Sequence, residues 1–318
     1  MNDMVRRWIG QHAHRLTTTD PHAPLDDLRP LVRLVGDAPV VAIGTATRQS
    51  RELSVLAHRV VRLLVEELGF RSFALEGDDA ARVGLDAHIA AGKGDARALL
   101  AGARSFWQTG EILDIVHWLR SFNRRHPGDP VRFTDGLSAP REPVVPLDGL
   151  AAIERRLAED VIDRHDRTGD RVVYWGGIAH TAVGDPRTVS PSTPPLTHRN
   201  AGGYLRERFG TGYVSLGLTF HHGTLPVAVP APPGEFAEST LGGTGPGAYL
   251  LDLRATAPAT VRAWLDAPAR TRLVGPHYDP ADDAAHHLSG GSLAGWFDAV
   301  VHTETVTPAR PLPPVPGT

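Results

Sequence analysis

The strongest constraint on this chain is a rhythm in its apolar residues. Short apolar runs closed by glycine or a charge alternate with segments whose apolar positions recur at helical spacing. Pro39-Val-Val-Ala-Ile-Gly44 reads as a buried strand. Residues 50–68 read as a helix with Leu53, Leu56, Val60, Leu63 and Leu64 on one side and Gly69 as its stop. Arg71 to Glu76 reads as a second strand, Val131 to Thr134 as a third, Arg171 to Trp175 as a fourth and Tyr213 to Phe220 as a fifth. Helices are expected at 3–16, 79–91, 95–103, 109–123, 150–165 and 203–209, the fifth of these with Ile153, Leu157, Val161 and Ile162 on one side. Later strands are expected at 224–229, 248–253, 271–274 and 297–302. Residues 138–149, 184–200 and 230–247 read as Pro- or Gly-rich connections, and 308–318 as a Pro-rich tail that frays. Strands alternating with helices predict an α/β fold: a central, mostly parallel sheet with helices on both faces. No 20–50-residue repeat and no compositional break is present, so a single domain over 1–318 is expected.

Composition narrows the chemistry. Of 318 residues 41% are hydrophobic, enough for a sizeable core, and the formal net charge of −3 argues against nucleic acid or an anionic membrane as partner. There is no cysteine, which excludes a disulfide framework, thiolate-bound metal and a cysteine nucleophile. Lys93 is the only lysine among 33 basic residues and sits in Ala-Gly-Lys-Gly-Asp, so lysine chemistry is confined to one loop. No apolar run is long enough to cross a membrane, and Met1 to Trp8 has no apolar signal core, so a cytoplasmic location is expected. No G-x-S-x-G, H-E-x-x-H, phosphate-loop or G-x-G-x-x-G motif occurs; Gly242 to Gly247 is a lookalike without the lysine.

In open α/β sheets ligands bind beyond the carboxyl ends of the strands. Following the expected strands are Thr45 to Glu52, Glu76 to Asp79, Asp135-Gly136 and Gly176 to His180. That edge gathers Arg48, Glu52, Glu76, Asp135 and His180. Each alone could be a loop charge or a helix cap; as a group they mark a candidate site. Trp107 and Trp175 could line an apolar substrate pocket or pack the core. His221-His222 and His286-His287 are adjacent pairs whose side chains should point apart, and His286 with Asp282 and Asp283 reads as a solvated loop rather than a metal set. Neither a metal nor a cofactor is expected.

The blocks together resemble the erythromycin esterase family. Its opening strand, G-E-x-[ST]-H-G-x-x-E and "eeLGF…lalE" correspond to Val41 to Gly44, Thr45 to Glu52 and Glu67 to Glu76. Its W-x-x-x-E…WLR-x-x-N block corresponds to Trp107 to Glu111 and Trp118 to Asn123, and its W-A-H-N-x-H strand end to Trp175 to His180. Gly203 to Gly210, Tyr213 to Phe220 and Phe297 to His302 continue the match in order. The resemblance implies the family's α/β fold, and a small or macrocyclic natural product as substrate in bacterial secondary metabolism.

The departures fall on the family's water-activating groups. Its first acidic residue and histidine are Thr45 and Arg48 here, the first histidine of its W-A-H-N-x-H is Gly177, and its G-x-D aspartate is lost or shifted to Asp135. The helical insertion before the fourth strand is shortened: about 35 residues separate Asp135 from Arg171, placing a reduced insertion at 138–170. Arginine holds its proton and has no acceptor, so Arg48 cannot serve as base. It can bind an anion or an oxyanion, or simply neutralise Glu76. The expected catalytic pair is therefore His180 with Glu76, and the expected substrate contacts are Arg48, Thr45, Glu52, Asp135, Trp107 and Trp175. A single proton taken and returned suits ring closure by an internal hydroxyl, or elimination, better than water-activated hydrolysis. Esterase or lactonase activity is the alternative, and a non-catalytic binding protein the third.

Overall fold

The computed structural model describes residues 2–77, 79–134, 149–190, 195–244, 247–275 and 277–314. Its strands are β1 (His14–Arg15), β2 (Val40–Thr45), β3 (Ser72–Leu75), β4 (Arg132–Phe133), β5 (Val172–Gly177), β6 (Arg187–Val189), β7 (Leu196–His198), β8 (Tyr213–Thr224), β9 (Ala228–Val229), β10 (Ala248–Asp252), β11 (Pro268–Arg272), β12 (His287–Ser292) and β13 (Ala299–Val306). The main sheet runs β1-β10-β13-β8-β2-β5-β3-β4, with β9 attached to β8. From β13 to β4 every pairing is parallel; β10 and β1 add an antiparallel edge. This is the expected α/β fold.

The five central parallel strands are apolar because both faces are covered. Val41, Ile43, Phe73 and Trp175 point into a core built with the Arg51–Glu66 and Gly110–Arg125 helices. Val40, Ala42, Ala74 and Tyr174 point the other way, onto Leu157, Ala158 and Val161 of the Gly149–Thr168 helix and Leu205 of the Ala201–Phe209 helix. The two large helices of the first layer start where the sequence provides side-chain caps: Ser50 accepts from the Leu53 N–H at 3.2 Å, and Thr109 from the Ile112 N–H at 3.3 Å.

Four expectations change. The 184–200 connection holds β6 and β7, and with β11 and β12 they form a second, four-stranded antiparallel sheet. The strand expected at 271–274 lies in that sheet as β11. The 230–247 segment contains the short helix Ala237–Leu241. The tail, expected to fray, is pinned over its described part: the Ala309 N–H donates to the Gln49 carbonyl at 2.7 Å and the Gly110 N–H to the Arg310 carbonyl at 2.8 Å. Of the segment 138–170, expected as a reduced insertion, the described part includes the Gly149–Thr168 helix; residues 138–148 lie outside the described residues. No described helix is long and apolar enough to cross a membrane.

Candidate active site

The carboxyl ends of β2, β3 and β5 lie side by side, and the residues just beyond them converge. Glu76 follows β3 directly. Its Oε2 accepts from the Gly177 N–H at 2.8 Å, while the Arg104 guanidinium fixes its carbonyl at 3.0 Å. β5 ends in Gly176-Gly177, and a Cβ on Gly176 would lie 2.9 Å from Glu76 Oε2. Glycine there makes room for the carboxylate. A one-turn helix, Ile178–Thr181, then carries His180 back toward Glu76, with Nε2 3.4 Å from Oε1.

Arg48 leaves the β2 loop and forms an ion pair with Glu76 Oε2. Its guanidinium carbon lies 4.5 Å from the Phe106 ring centre and 5.4 Å from that of Trp107. Burial pulls Arg48 down to about 10, which still leaves it charged at neutral pH. In this structure Arg48 is paired with Glu76. Arg48 and Gly177 are also coupled by space. A Cβ at 177 would sit 3.1 Å from Arg48 Nη2, so a larger residue there displaces the guanidinium.

Sequence reasoning missed Glu154. It is 1% exposed, on the Gly149–Thr168 helix, and its Oε1 accepts from His180 Nδ1 at 2.9 Å. The same oxygen accepts from Arg187 Nη2 at 2.5 Å, and Oε2 accepts from the Ala201 N–H, at the start of a helix, at 2.9 Å. Arg187 in turn donates to His198 at 3.0 Å and to the Ala179 carbonyl at 2.8 Å. Burial alone would raise the Glu154 carboxyl, but His180, His198 and Arg187 outweigh it and hold it down at about 2. A permanent carboxylate thus grips Nδ1 of His180 and turns Nε2 toward Glu76. A signal for Glu154 exists in the sequence: Leu157, Ala158 and Val161 lie three, four and seven residues on, so Glu154 shares their buried stripe. The phase expected from Ile153 is off by one, and Ile153 is exposed.

The other expected site residues are distributed differently. Thr45 is buried at the end of β2, with its hydroxyl 3.5 Å from the Gly176 carbonyl. Glu52 is taken up by the tail, accepting from the Thr307 N–H and hydroxyl, both at 2.6 Å. Trp107 and Trp175 meet edge to face at 6.0 Å and are fully buried; Trp107 reaches the site only as the floor beneath Arg48. Asp135 lies outside the described residues. Asp283 pairs with Arg272 at 2.5 Å and accepts from the Tyr278 hydroxyl at 2.7 Å, so it is a structural group.

The fold and this edge define an α/β protein with one histidine held between two carboxylates at the carboxyl end of a parallel sheet. The chain matches the erythromycin esterase family over residues 65–145 and 147–306. It belongs to that family, one of esterase-type hydrolases. Escherichia coli erythromycin esterase type II is 28% identical over 117 residues, which are 37% of this chain and 28% of that relative. The matched part thus spans under a third of the curated relative's length. A Bacillus cereus protein of solved structure superimposes with a TM-score of 0.81 at 20% identity, covering 98% of this chain and 99% of that one. A protein solved as a succinoglycan biosynthesis protein gives a TM-score of 0.76 at 20% identity, covering 98% of each chain. A mutant of the erythromycin esterase EreC in its open conformation gives 0.67 at 13% identity, covering 95% of this chain and 99% of that one. At these identities the likeness is one of fold.

Proposed function

We propose that this protein catalyses acyl transfer on the ester or lactone carbonyl of a small or macrocyclic natural product, with His180 as the single proton-transfer group. The observation that carries the reading is the orientation of His180, with Nδ1 bound to Glu154 and Nε2 turned toward Glu76, 3.4 Å from Oε1, on a side chain that is 21% exposed. In this reading Nε2 takes the proton of an attacking hydroxyl, the new C–O bond forms at the carbonyl carbon, and the bond to the leaving oxygen breaks. Nε2 then returns the proton to that oxygen. The charge of Arg48, 19% exposed and next to Glu76, offsets the developing oxyanion.

The attacking hydroxyl in this reading belongs to the substrate itself, so the product is a ring; elimination would use the same single proton transfer. What supports it is that arginine stands at position 48, engaged by Glu76, where the resemblance of the Thr45 to Glu52 segment implies a water-activating histidine. A second reading, hydrolysis by water, is favoured by family membership. Running the reaction in ¹⁸O-water separates them. Ring closure or elimination leaves the product unlabelled, and hydrolysis puts one ¹⁸O into the released acid. His180→Ala is expected to lower kcat by about 10²- to 10⁴-fold with little change in melting temperature. Turnover unchanged in that variant would remove His180 from the reaction, whereas a non-catalytic binding protein, the reading that the Arg48–Glu76 pair supports, would show no turnover in the parent either.

A further inference from the structure

A second set of ligand-type side chains stands at the carboxyl ends of β8 and β13. His221 and His222 are consecutive on β8. Glu304 on β13 falls between the register pairs Phe220–Thr303 and His222–Thr305. Neighbouring residues on a strand ordinarily face opposite sides, and these two histidines are expected to do so. Instead their Nδ1 atoms lie 2.9 Å apart, and Glu304 Oε1 is 3.6 Å from His221 Nδ1. One donor atom from each of the three lies within 4.8 Å of the others, and all three residues are half-buried.

The surroundings hold this geometry. A Cβ on Gly242 would lie 2.1 Å from the His221 ring, so the glycine is what admits the imidazole. The Gly243 N–H donates to Glu304 Oε2 at 2.9 Å, leaving Oε1 turned to the histidines. Arg272 holds the His221 carbonyl at 2.6 Å, and Asp283 offsets its charge at 2.5 Å. The Gly242 to Gly247 phosphate-loop lookalike thus has its first two residues committed to supporting this cluster.

Two ligand atoms about 2.1 Å from one ion stand about 3.0 Å apart at right angles and about 3.4 Å apart at the tetrahedral angle, and the 2.9 Å between the two Nδ1 atoms and 3.6 Å from His221 Nδ1 to Glu304 Oε1 lie close to that range. We propose that His221 Nδ1, His222 Nδ1 and the Glu304 carboxylate bind a divalent transition-metal ion of the zinc class. Two imidazoles and one carboxylate select Zn²⁺, Co²⁺, Ni²⁺ or Fe²⁺ over Mg²⁺ and Ca²⁺. Three protein ligands leave the remaining coordination positions to water or a small anion. The ion would tie β8 and β13 to the loop after the Ala237–Leu241 helix. None of these residues takes part in the proposed reaction, so the site stands or falls independently of it.

The test is Co²⁺ titration of the full chain after dialysis against a chelator, read by absorption and by isothermal calorimetry, with Zn²⁺ as competitor. One equivalent of Co²⁺ is expected, with the visible bands of a histidine-ligated ion that Zn²⁺ abolishes. His222→Ala and Glu304→Gln should each weaken binding at least tenfold; the glutamine keeps an acceptor for the Gly243 N–H, and circular dichroism checks the fold. His180→Ala should bind as the parent does. Absence of stoichiometric uptake, or equal affinity in His222→Ala, would overturn the site and leave a hydrogen-bonded histidine pair. Binding lost in His222→Ala but intact in Glu304→Gln would remove the carboxylate and overturn the three-ligand assignment.

Discussion

Two arginine–carboxylate pairs in this molecule are alike in chemistry and opposite in use. Asp27 and Arg59 face each other in two contacts, 2.7 and 3.0 Å, with side chains 6% and 0% exposed. The remaining capacity of Asp27 goes to the Thr17 N–H and hydroxyl at 2.8 and 3.1 Å, and Arg59 also donates to the Thr18 and Pro24 carbonyls. Burial would raise the Asp27 carboxyl, but Arg59 and Thr17 outweigh it and hold it below its ordinary range. Glu76 and Arg48 differ in one respect: Glu76 keeps Oε1 turned to a histidine that is itself 21% exposed and anchored by a second carboxylate. A pair whose carboxylate is fully engaged, as that of Asp27 is, can only hold structure. A pair whose carboxylate also faces a partly exposed histidine can exchange a proton with it.

The comparison can be broken in four places, from the largest expected effect down. Arg59→Met leaves Asp27 buried without its partner and should cost about 3–5 kcal/mol of stability by urea unfolding, with turnover per folded molecule unchanged. A loss of turnover in the folded fraction would mean that the first pair is no mere strut. Glu154→Gln replaces a carboxylate by an amide that can donate to Nδ1, so His180 loses its fixed orientation. A drop of about 10- to 100-fold in kcat/KM is expected, and an unchanged value would detach Glu154 from the site.

The third concerns a buried titratable group outside both pairs. His58 is pushed down to about 3 by burial, with Arg62 and His22 adding to the effect, and it packs edge-on against Trp118 at 5.7 Å. Unfolded, it takes a proton near its ordinary 6.5; folded, it resists down to about 3. Stability is therefore full above the ordinary value and falls as pH drops below it, by about 1.4 kcal/mol per pH unit for this one group. His58→Phe should remove that slope in unfolding curves taken across the acid range; an unaltered slope would place the proton uptake elsewhere. The smallest effect belongs to Glu52→Ala, which frees Thr307 and should cost about 0.5–1.5 kcal/mol with KM unmoved. A raised KM would return Glu52 to substrate binding.

The sheet was legible because its central strands are buried on both faces, so Val40–Thr45 and Val172–Gly177 stand out as unbroken apolar and small-residue runs. His180, Glu76 and Arg48 were legible because strand ends at a parallel sheet's carboxyl edge are few, and the structure brings all three together. The second sheet was not. β6, β7 and β12 are short, rich in Thr, Ser, Gly and His, and flanked by loops, and part of what fixes them is the Glu154–Arg187–His198 network rather than an apolar stripe. Glu154 escaped notice because its helix carries charge on every side, and only the phase of Leu157, Ala158 and Val161 betrays which face is buried. The facing of His221 and His222 was illegible for a related reason: strand alternation predicts opposite sides, and nothing local announces the exception.

The place of β13 has a consequence for how the molecule is made. It sits between β8 and β10, yet it is the last described strand to leave the ribosome. Until it arrives, β10 and β1 have no route to the parallel core, and the edge of β8 is open. Nearly the whole chain must wait in a partly joined state, with an unpaired strand edge that neighbouring chains could occupy. Slow release of this strand, or its loss by truncation before residue 299, would therefore leave that edge open to neighbouring chains.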